Sequence, residues 1–357
     1  MSSPLLPLLR GSLAAVLAAA WWAVQGAGGA TLPNLYVVTV APDPAAADQR
    51  AAAIETAMAR LLVRVTGSRN APLDPALSPM LADAGRYLAS YGLDRQRQPQ
   101  VGFLRSQVDQ ALTAAGMPVW GPERPLTLLW IAVDDGLGGR ALLGANEANP
   151  IEGMPSPAMA ASLKVLRTEL TAVADERGLP IALPLLDLED LGVVTFADVW
   201  GGFEDRVMAA SQRYGADAVL VGRVRPGVVG NEIQWLFLRG TARQALTGGA
   251  LRDGLDVAAD AYAAELSTVG AASTTLISVR DVLSSADYGR VMSYLEQQRV
   301  LQGVDVDSLE NGVLNLRVAA RGDARVLERI FTLGGVLRPA ASGASGVFEI
   351  VRSGSVP

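Results

Sequence analysis

The sequence predicts an α+β protein in which two ferredoxin-like units, with the element order βαββαβ, flank a central α/β unit with a mixed sheet. Short runs of branched and aromatic residues, typical of strands, alternate with segments whose apolar residues recur at helical spacing. The same element order occurs near both ends of the chain. The chain has 357 residues, of which 50% are hydrophobic, so it is long enough for two or three domains with sizeable cores.

Residues 1–30 have the composition of a secretory signal peptide. Arg10 and the terminal amine supply the positive end, and the apolar run at 13–24 is too short to span a bilayer. Gly28 and Ala30 occupy the small-residue positions of a cleavage site. We therefore predict cleavage after Ala30, a periplasmic protein, and no transmembrane segment after cleavage. Leucines upstream of the apolar run leave an alternative, in which an uncleaved signal tethers the protein to the membrane.

The first unit is predicted over residues 34–135. A strand is followed by a helix that begins at Asp43 and Pro44, because aspartate is a good N-cap and proline suits the first helical position. Gly67 ends that helix. Two strands and a second helix follow, and the continuous apolar run at 126–133 predicts a final strand buried on both faces.

Residues 136–157 are rich in glycine, asparagine and proline and are predicted to be a linker. The stretch at 136–141 fits the dinucleotide-binding pattern G-x-G-x-x-A. Asp134 and Asp135 come immediately before it, where they would repel a pyrophosphate, and no βαβ continuation follows. We therefore predict no cofactor.

The central unit is predicted over residues 158–268. It begins and ends with helices, and its first strand contains two prolines, which favour an edge position. The third unit, over 274–352, contains a strand, a helix and a hairpin turning at Asn311 and Gly312. A second helix follows, and either 336–340 or 347–351 completes its sheet.

Composition excludes several chemistries. The chain has no histidine and no cysteine, so it has no Ser-His-Asp triad, no disulfide and no ordinary zinc or haem site. The formal charge of −6 and the lack of a basic stripe exclude a nucleic-acid surface. We predict no metal site and no catalytic residues.

One acidic segment of the central unit is a candidate ligand or partner site. Its carboxylates could hold a polar ligand, but aspartates beside short apolar runs more often cap helices and turns, and tryptophan more often covers core. The candidate residues are Asp187, Asp190, Asp198 and Trp200.

Four phrases resemble one bacterial family. They are RLLVRVTGSRN (60–70), GMPVWGPERPLTLLWIAV (116–133), ASQRYGADAVLVGRV (210–224) and the later EIQWLFL. Together they resemble the Domain of Unknown Function 2066 family of exported proteins from Gram-negative bacteria. The resemblance implies a globular protein of the cell envelope and supplies no catalytic residues.

These observations favour a non-enzymatic periplasmic protein that binds envelope proteins or the cell wall. Repeated small α+β units with open sheet edges are common interaction modules. The first alternative is a carboxylate-based hydrolase acting on cell-wall glycan, with Asp187, Asp190 and Asp198 as its acids. The second is the membrane-tethered scaffold that an uncleaved signal would produce.

Overall fold

The computed structural model describes residues 30–32, 34–146, 155–227, 230–268, 273–298, 301–320, 324–340 and 344–352. Except for Ala30, the predicted signal peptide lies outside these residues. None of the helices formed by the described residues has the length and apolar character required to cross a membrane.

The chain is a mixed α+β protein, as predicted, with ten α-helices and sixteen strands in its described part. The helices are α1 (Gln49–Thr66), α2 (Ser78–Ala82), α3 (Arg105–Ala114), α4 (Pro157–Arg177), α5 (Leu188–Val193), α6 (Phe196–Gly201), α7 (Glu204–Ser211), α8 (Leu251–Leu266), α9 (Ser285–Gln297) and α10 (Ala324–Leu333). The strands are β1 (Ala30–Thr31), β2 (Val37–Thr39), β3 (Leu88–Leu93), β4 (Pro99–Phe103), β5 (Glu123–Arg124), β6 (Thr127–Asp134), β7 (Arg140–Leu142), β8 (Ile181–Ala182), β9 (Ala218–Pro226), β10 (Asn231–Arg239), β11 (Ala242–Gly249), β12 (Ser273–Arg280), β13 (Leu301–Glu310), β14 (Val313–Ala320), β15 (Leu337–Pro339) and β16 (Val347–Ile350).

Helix α1 ends where predicted but begins later. Gly67 takes the left-handed conformation at φ 72°, and its N–H donates to the carbonyl of Val63 at 3.0 Å. The predicted start at Asp43 is wrong, because Asp48 is the N-cap and accepts from the N–H of Ala51. The Asp43 carboxylate instead accepts from the N–H of Ala45 in a turn, which is the other common use of aspartate ahead of a helix.

The predicted ferredoxin-like closure of the first unit is wrong. Its sheet has the order β2-β4-β3, and β6, which we assigned to it, lies in the next sheet instead. There β6 runs parallel to β9, from Thr127 opposite Ala218 to Val133 opposite Val224. Strand β3 lies at the edge of the small sheet and leaves four of its six residues exposed, so this sheet buries its strands only in part. A strand buried on both faces gains more from the central sheet, which helices cover on both sides.

The central sheet is mixed and has the order β11-β10-β9-β6-β7, with β8 paired to the start of β6. Alternate residues of β6 point to different cores. Leu129 and Ile131 pack with α4 and α8, whereas Leu128 and Trp130 pack with α6 and α7. The strand expected near the two prolines, β8, is only two residues long and pairs with the start of β6 alone, which agrees with its sequence.

The third sheet has the order β13-β14-β12-β16-β15. Asn311 and Gly312 form the predicted hairpin, with φ of 51° and 76°, as a type I′ turn requires. Both candidate closing segments join this sheet. Strand β16 pairs parallel to β12, and β15 forms the outer edge. Strand β16 lies between β12 and β15, and it buries Phe348 and Ile350 in the core of the third unit. The sheet therefore has five strands, and the predicted four-stranded ferredoxin-like closure is not formed.

Candidate functional site

The predicted acidic segment folds around Arg213. The guanidinium binds both oxygens of Asp187, at 2.7 and 3.0 Å, and one oxygen of Asp190 at 3.1 Å. The other oxygen of the buried Asp190 accepts from the Tyr214 hydroxyl at 2.6 Å and from the N–H of Leu186 at 2.8 Å. Asp187 also caps α5 by accepting from the N–H of Asp190. Both carboxylates are thus engaged in contacts that hold α5 against the turn after α7.

Asp198 and Trp200 lie on the neighbouring α6 and have local roles. Asp198 forms a capping box with Thr195, whose hydroxyl donates to it at 2.7 Å. Trp200 stacks on Phe196 with 5.5 Å between ring centres. The structure therefore gives the four candidate residues capping and packing contacts, and it brings only Asp187 and Asp190 together, on Arg213.

Asp187 and Asp198 are poorly suited to be the proton donor of glycan hydrolysis. Such hydrolysis needs one carboxyl group with a raised pKa, which donates the proton. The hydrogen bonds from Arg213 lower the pKa of Asp187 to about 2. The hydrogen bond from Thr195 likewise lowers the pKa of Asp198. Among the described residues, no group of three or more acidic side chains is arranged to hold a metal ion.

The aspartate pair after β6 shapes a turn. Asp134 accepts from the N–H of Gly136 and from Arg140, and Asp135 accepts from the N–H groups of Leu137 and Gly139. The turn returns the chain as β7, antiparallel to β6. The predicted linker at 136–157 therefore contains a turn and the strand β7, while residues 147–154 of it lie outside the described residues.

The longest strand at a sheet edge in the third unit is β13. It has ten residues and pairs with β14 on one side, and no strand of the described chain pairs with its other side. Asp305, Asp307 and Glu310 are exposed along it. Arg317 of β14 balances only part of this charge, through an ion pair with Asp307 at 3.2 Å. The result is an unpaired, acidic strand edge.

An apolar depression lies beside the hairpin end of β13, and we call it the β13 groove. Its volume is about 470 Å³, and Leu283 and Leu309 within it are 71% and 47% exposed. Gly312 makes a close approach to it, since a Cβ at this position would lie 2.8 Å from a methyl carbon of Leu283. The groove is lined by Val282, Leu283, Ser284, Ser285, Tyr288 and Leu309.

Fold and site together define a mixed α+β protein with an open, acidic sheet edge and an adjoining apolar groove. Residues 29–121 match a family model described as Domain of unknown function (DUF8605). The match ends before β6 and covers about a quarter of the chain. The expected membership of the Domain of Unknown Function 2066 family is therefore wrong, and the two families share only that their functions are unknown. No curated protein and no solved structure gives a significant match to the chain.

Sequence reasoning did not identify β13 as a site. The signal was present in VDVDSLENG, where acidic residues alternate with apolar ones before the turn. We used that segment to predict a hairpin and named no binding site on it. The segment is exposed because β13 is an edge strand of its sheet. Which strand lies at the edge depends on how the whole sheet assembles.

Proposed function

We propose that this protein is exported to the periplasm and acts there without catalysis, by binding an extended segment of a partner protein along β13. The observation that carries the proposal is the unpaired, ten-residue edge of β13 beside the exposed leucines of the β13 groove. Main-chain hydrogen bonds along such an edge supply affinity, and a neighbouring pocket supplies specificity.

The partner segment should alternate basic and apolar side chains. Asp305 and Asp307 are both exposed on β13, on either side of Val306 and beside a bulge in the strand, so lysine or arginine of an added strand would oppose their negative charge. A second copy of this chain is a poor occupant, because antiparallel pairing of two β13 strands would bring carboxylates together. An apolar side chain of the partner would enter the β13 groove.

Export is supported by the composition of residues 1–30 and by the absence of cysteine. We do not propose cell-wall hydrolysis, because Asp187, Asp190 and Asp198 are occupied by capping and ion-pair contacts. Fractionation of cells, followed by N-terminal sequencing of the recovered protein, tests export. A mature chain starting at Thr31 is expected, whereas a retained signal would support the tethered scaffold instead.

Binding is tested with two ten-residue peptides, one alternating valine with lysine and one alternating valine with glutamate. Fluorescence anisotropy should show saturable binding of the basic peptide and none of the acidic peptide. The double variant Asp305→Lys with Asp307→Lys should reverse this preference. Glu169→Lys, which changes the charge of an exposed residue of α4, is the control and should leave it unchanged. Equal binding of both peptides, or binding of neither, would overturn the proposal.

A further inference from the structure

The outer edge of β3 differs from the other strand edges of the three larger sheets. Strand β3, with the sequence LASYGL, ends the order β2-β4-β3, and no strand of the described chain pairs with its outer side. It has six residues, none of which is charged or proline. Charged side chains, proline and short length are the usual features that keep a strand edge from pairing with another chain. We call the unpaired side of this strand the β3 edge.

The strands at the other sheet ends have such protective features. On β2, at the opposite end of the same sheet, guanidinium groups of α1 bind the carbonyls of the strand. Arg60 donates to Thr39 at 3.1 Å, and Arg64 donates to Val37 at 3.0 Å. Strand β15 contains Pro339, and β7 and β8 are at most three residues long. Strands β11 and β13 carry charged side chains. The β3 edge is therefore the least protected of these edges.

The backbone of the β3 edge has free hydrogen-bonding groups at Tyr91 and Leu93. The hairpin between β3 and β4 closes where the N–H of Asp94 donates to the carbonyl of Gln98 at 2.9 Å. Hydrogen-bonded and non-hydrogen-bonded pairs alternate along an antiparallel ladder, so Gly92 is the next residue that bonds to β4. The N–H and C=O groups of Tyr91 and Leu93 therefore point away from β4, towards the unpaired side.

The regular part of the β3 edge is long enough to pair with a second copy of itself. A bulge between Leu88 and Ser90 interrupts the pairing with β4, so the regular part is 90–93. When two such segments run antiparallel with Gly92 opposite Gly92, Tyr91 of each copy lies opposite Leu93 of the other. Each of these pairs then exchanges both of its main-chain hydrogen bonds, which uses every outward group of the two residues.

The side chains of the β3 edge also fit a second copy. No charge within the strand opposes the approach, in contrast to β13. In this register the exposed Ser90 hydroxyl lies opposite Asp94 of the other copy and can donate to its carboxylate. Leu93, which is 56% exposed, is covered by Tyr91 of the other copy. We propose that two copies of this protein form a symmetric dimer by antiparallel pairing of their β3 edges, centred on Gly92.

This dimer goes beyond partner binding at β13, and each proposal can fail without the other, because β3 and β13 belong to different sheets. Sedimentation velocity measures the association of the purified protein. A strand-edge interface is small, so a reversible monomer–dimer equilibrium is expected between about 1 μM and about 1 mM.

The decisive variant is Leu93→Pro, which removes an outward N–H and leaves the hydrogen bonds to β4 in place. The dissociation constant of the dimer should rise at least about tenfold, because each copy loses one main-chain hydrogen bond across the interface. Leu93→Ala keeps the N–H and is the matched control, so it should raise the constant much less. Thermal unfolding of both variants verifies that they are folded.

A cysteine at the symmetry axis tests the register. The chain has no cysteine, so one introduced thiol reports on one position. A Cβ at Gly92 meets nothing within 4 Å, and Cα atoms of a non-hydrogen-bonded pair are about 4.5 Å apart, within disulfide range. Gly92→Cys should therefore form a cross-linked dimer on mild oxidation. Gly289→Cys, at an exposed position of α9 where a Cβ also meets nothing, is the matched control and should not.

Three results would overturn the dimer. They are a monomer at every concentration, an equal effect of Leu93→Pro and Leu93→Ala on the dissociation constant, and equal cross-linking of the two cysteine variants.

Discussion

The guanidinium of Arg124 lies 3.5 Å from the centre of the Trp120 ring, and both side chains are fully buried. Arg124 donates to the carbonyls of Arg64 at 2.9 Å, Trp120 at 3.0 Å, Gly121 at 2.6 Å and Gly178 at 3.3 Å. These carbonyls belong to the end of α1, the segment before β5, and the C-cap of α4. One arginine therefore connects the first unit to the central unit. Its burial lowers its pKa, and the nearby Arg64 adds to this effect.

We expect Arg124→Lys to destabilise the protein by about 3 kcal/mol, because an ammonium cannot reach all four carbonyls and leaves some unpaired. Urea unfolding followed by circular dichroism measures the change. Arg225→Lys is the control, since Arg225 forms an ion pair with Glu232 at 2.7 Å that is about half exposed. It should change stability by less than about 0.5 kcal/mol. Similar losses in both variants would contradict the role given to Arg124.

Gly67 should tolerate alanine much less well than Gly116. Both have left-handed backbones, with φ of 72° and 68°. A Cβ at Gly67 would lie 2.3 Å from the Cβ of Ala263, whereas a Cβ at Gly116 meets nothing within 4 Å. Gly116→Ala should cost about 1 kcal/mol from backbone strain alone. Gly67→Ala should cost about 3 kcal/mol, because α8 must also shift. Thermal unfolding measures the stability of both variants. Equal losses of stability would show that Gly67 and Ala263 are not in close contact.

The Asp187 ion pair should make stability depend on acid pH. The pKa of Asp187 in the folded protein is lowered to about 2 from 3.8. The ionised carboxylate therefore stabilises the folded state above pH 4, and this stabilisation is lost as the pH falls towards 2. Asp187→Asn should therefore lower the melting temperature at pH 7 and give a flatter profile between pH 4 and 2. Melting curves measured across this range test the expectation.

The control for that profile is Asp83→Asn, because the Asp83 side chain is exposed and makes no capping hydrogen bond. This variant should follow the wild-type curve. If Asp187→Asn also follows the wild-type curve, the ion pair with Arg213 does not stabilise the fold.

Leu283→Ser should weaken binding of the basic peptide to β13 about fivefold, because an apolar side chain of the peptide then loses part of its pocket. Stability should change little, since Leu283 is 71% exposed. Leu137→Ser is the matched control, because Leu137 is 94% exposed and lies in the turn between β6 and β7. Fluorescence anisotropy measures both variants. Equal weakening by the two would argue against the β13 groove as the specificity pocket.

Local features of the fold were predictable from short stretches of sequence. Gly67 ends α1, and Asn311 with Gly312 forms the hairpin, because each depends on the backbone preferences of one or two residues. The start of α1 was missed because Asp43 and Asp48 are both good caps, and only packing of the helix selects between them. The capping roles of Asp187 and Asp198 are likewise local, and we had named them as the alternative to ligand binding.

The sequence by itself determined the mixed α+β class, the exclusion of imidazole and thiol chemistry, and the strand that became β6. Tertiary structure alone decided which sheet contains β6. The continuous apolar run predicts a strand buried on both faces, but it does not determine which strands pair with it. Tertiary structure also decided that β16 enters between β12 and β15 and that β13 stays at the edge.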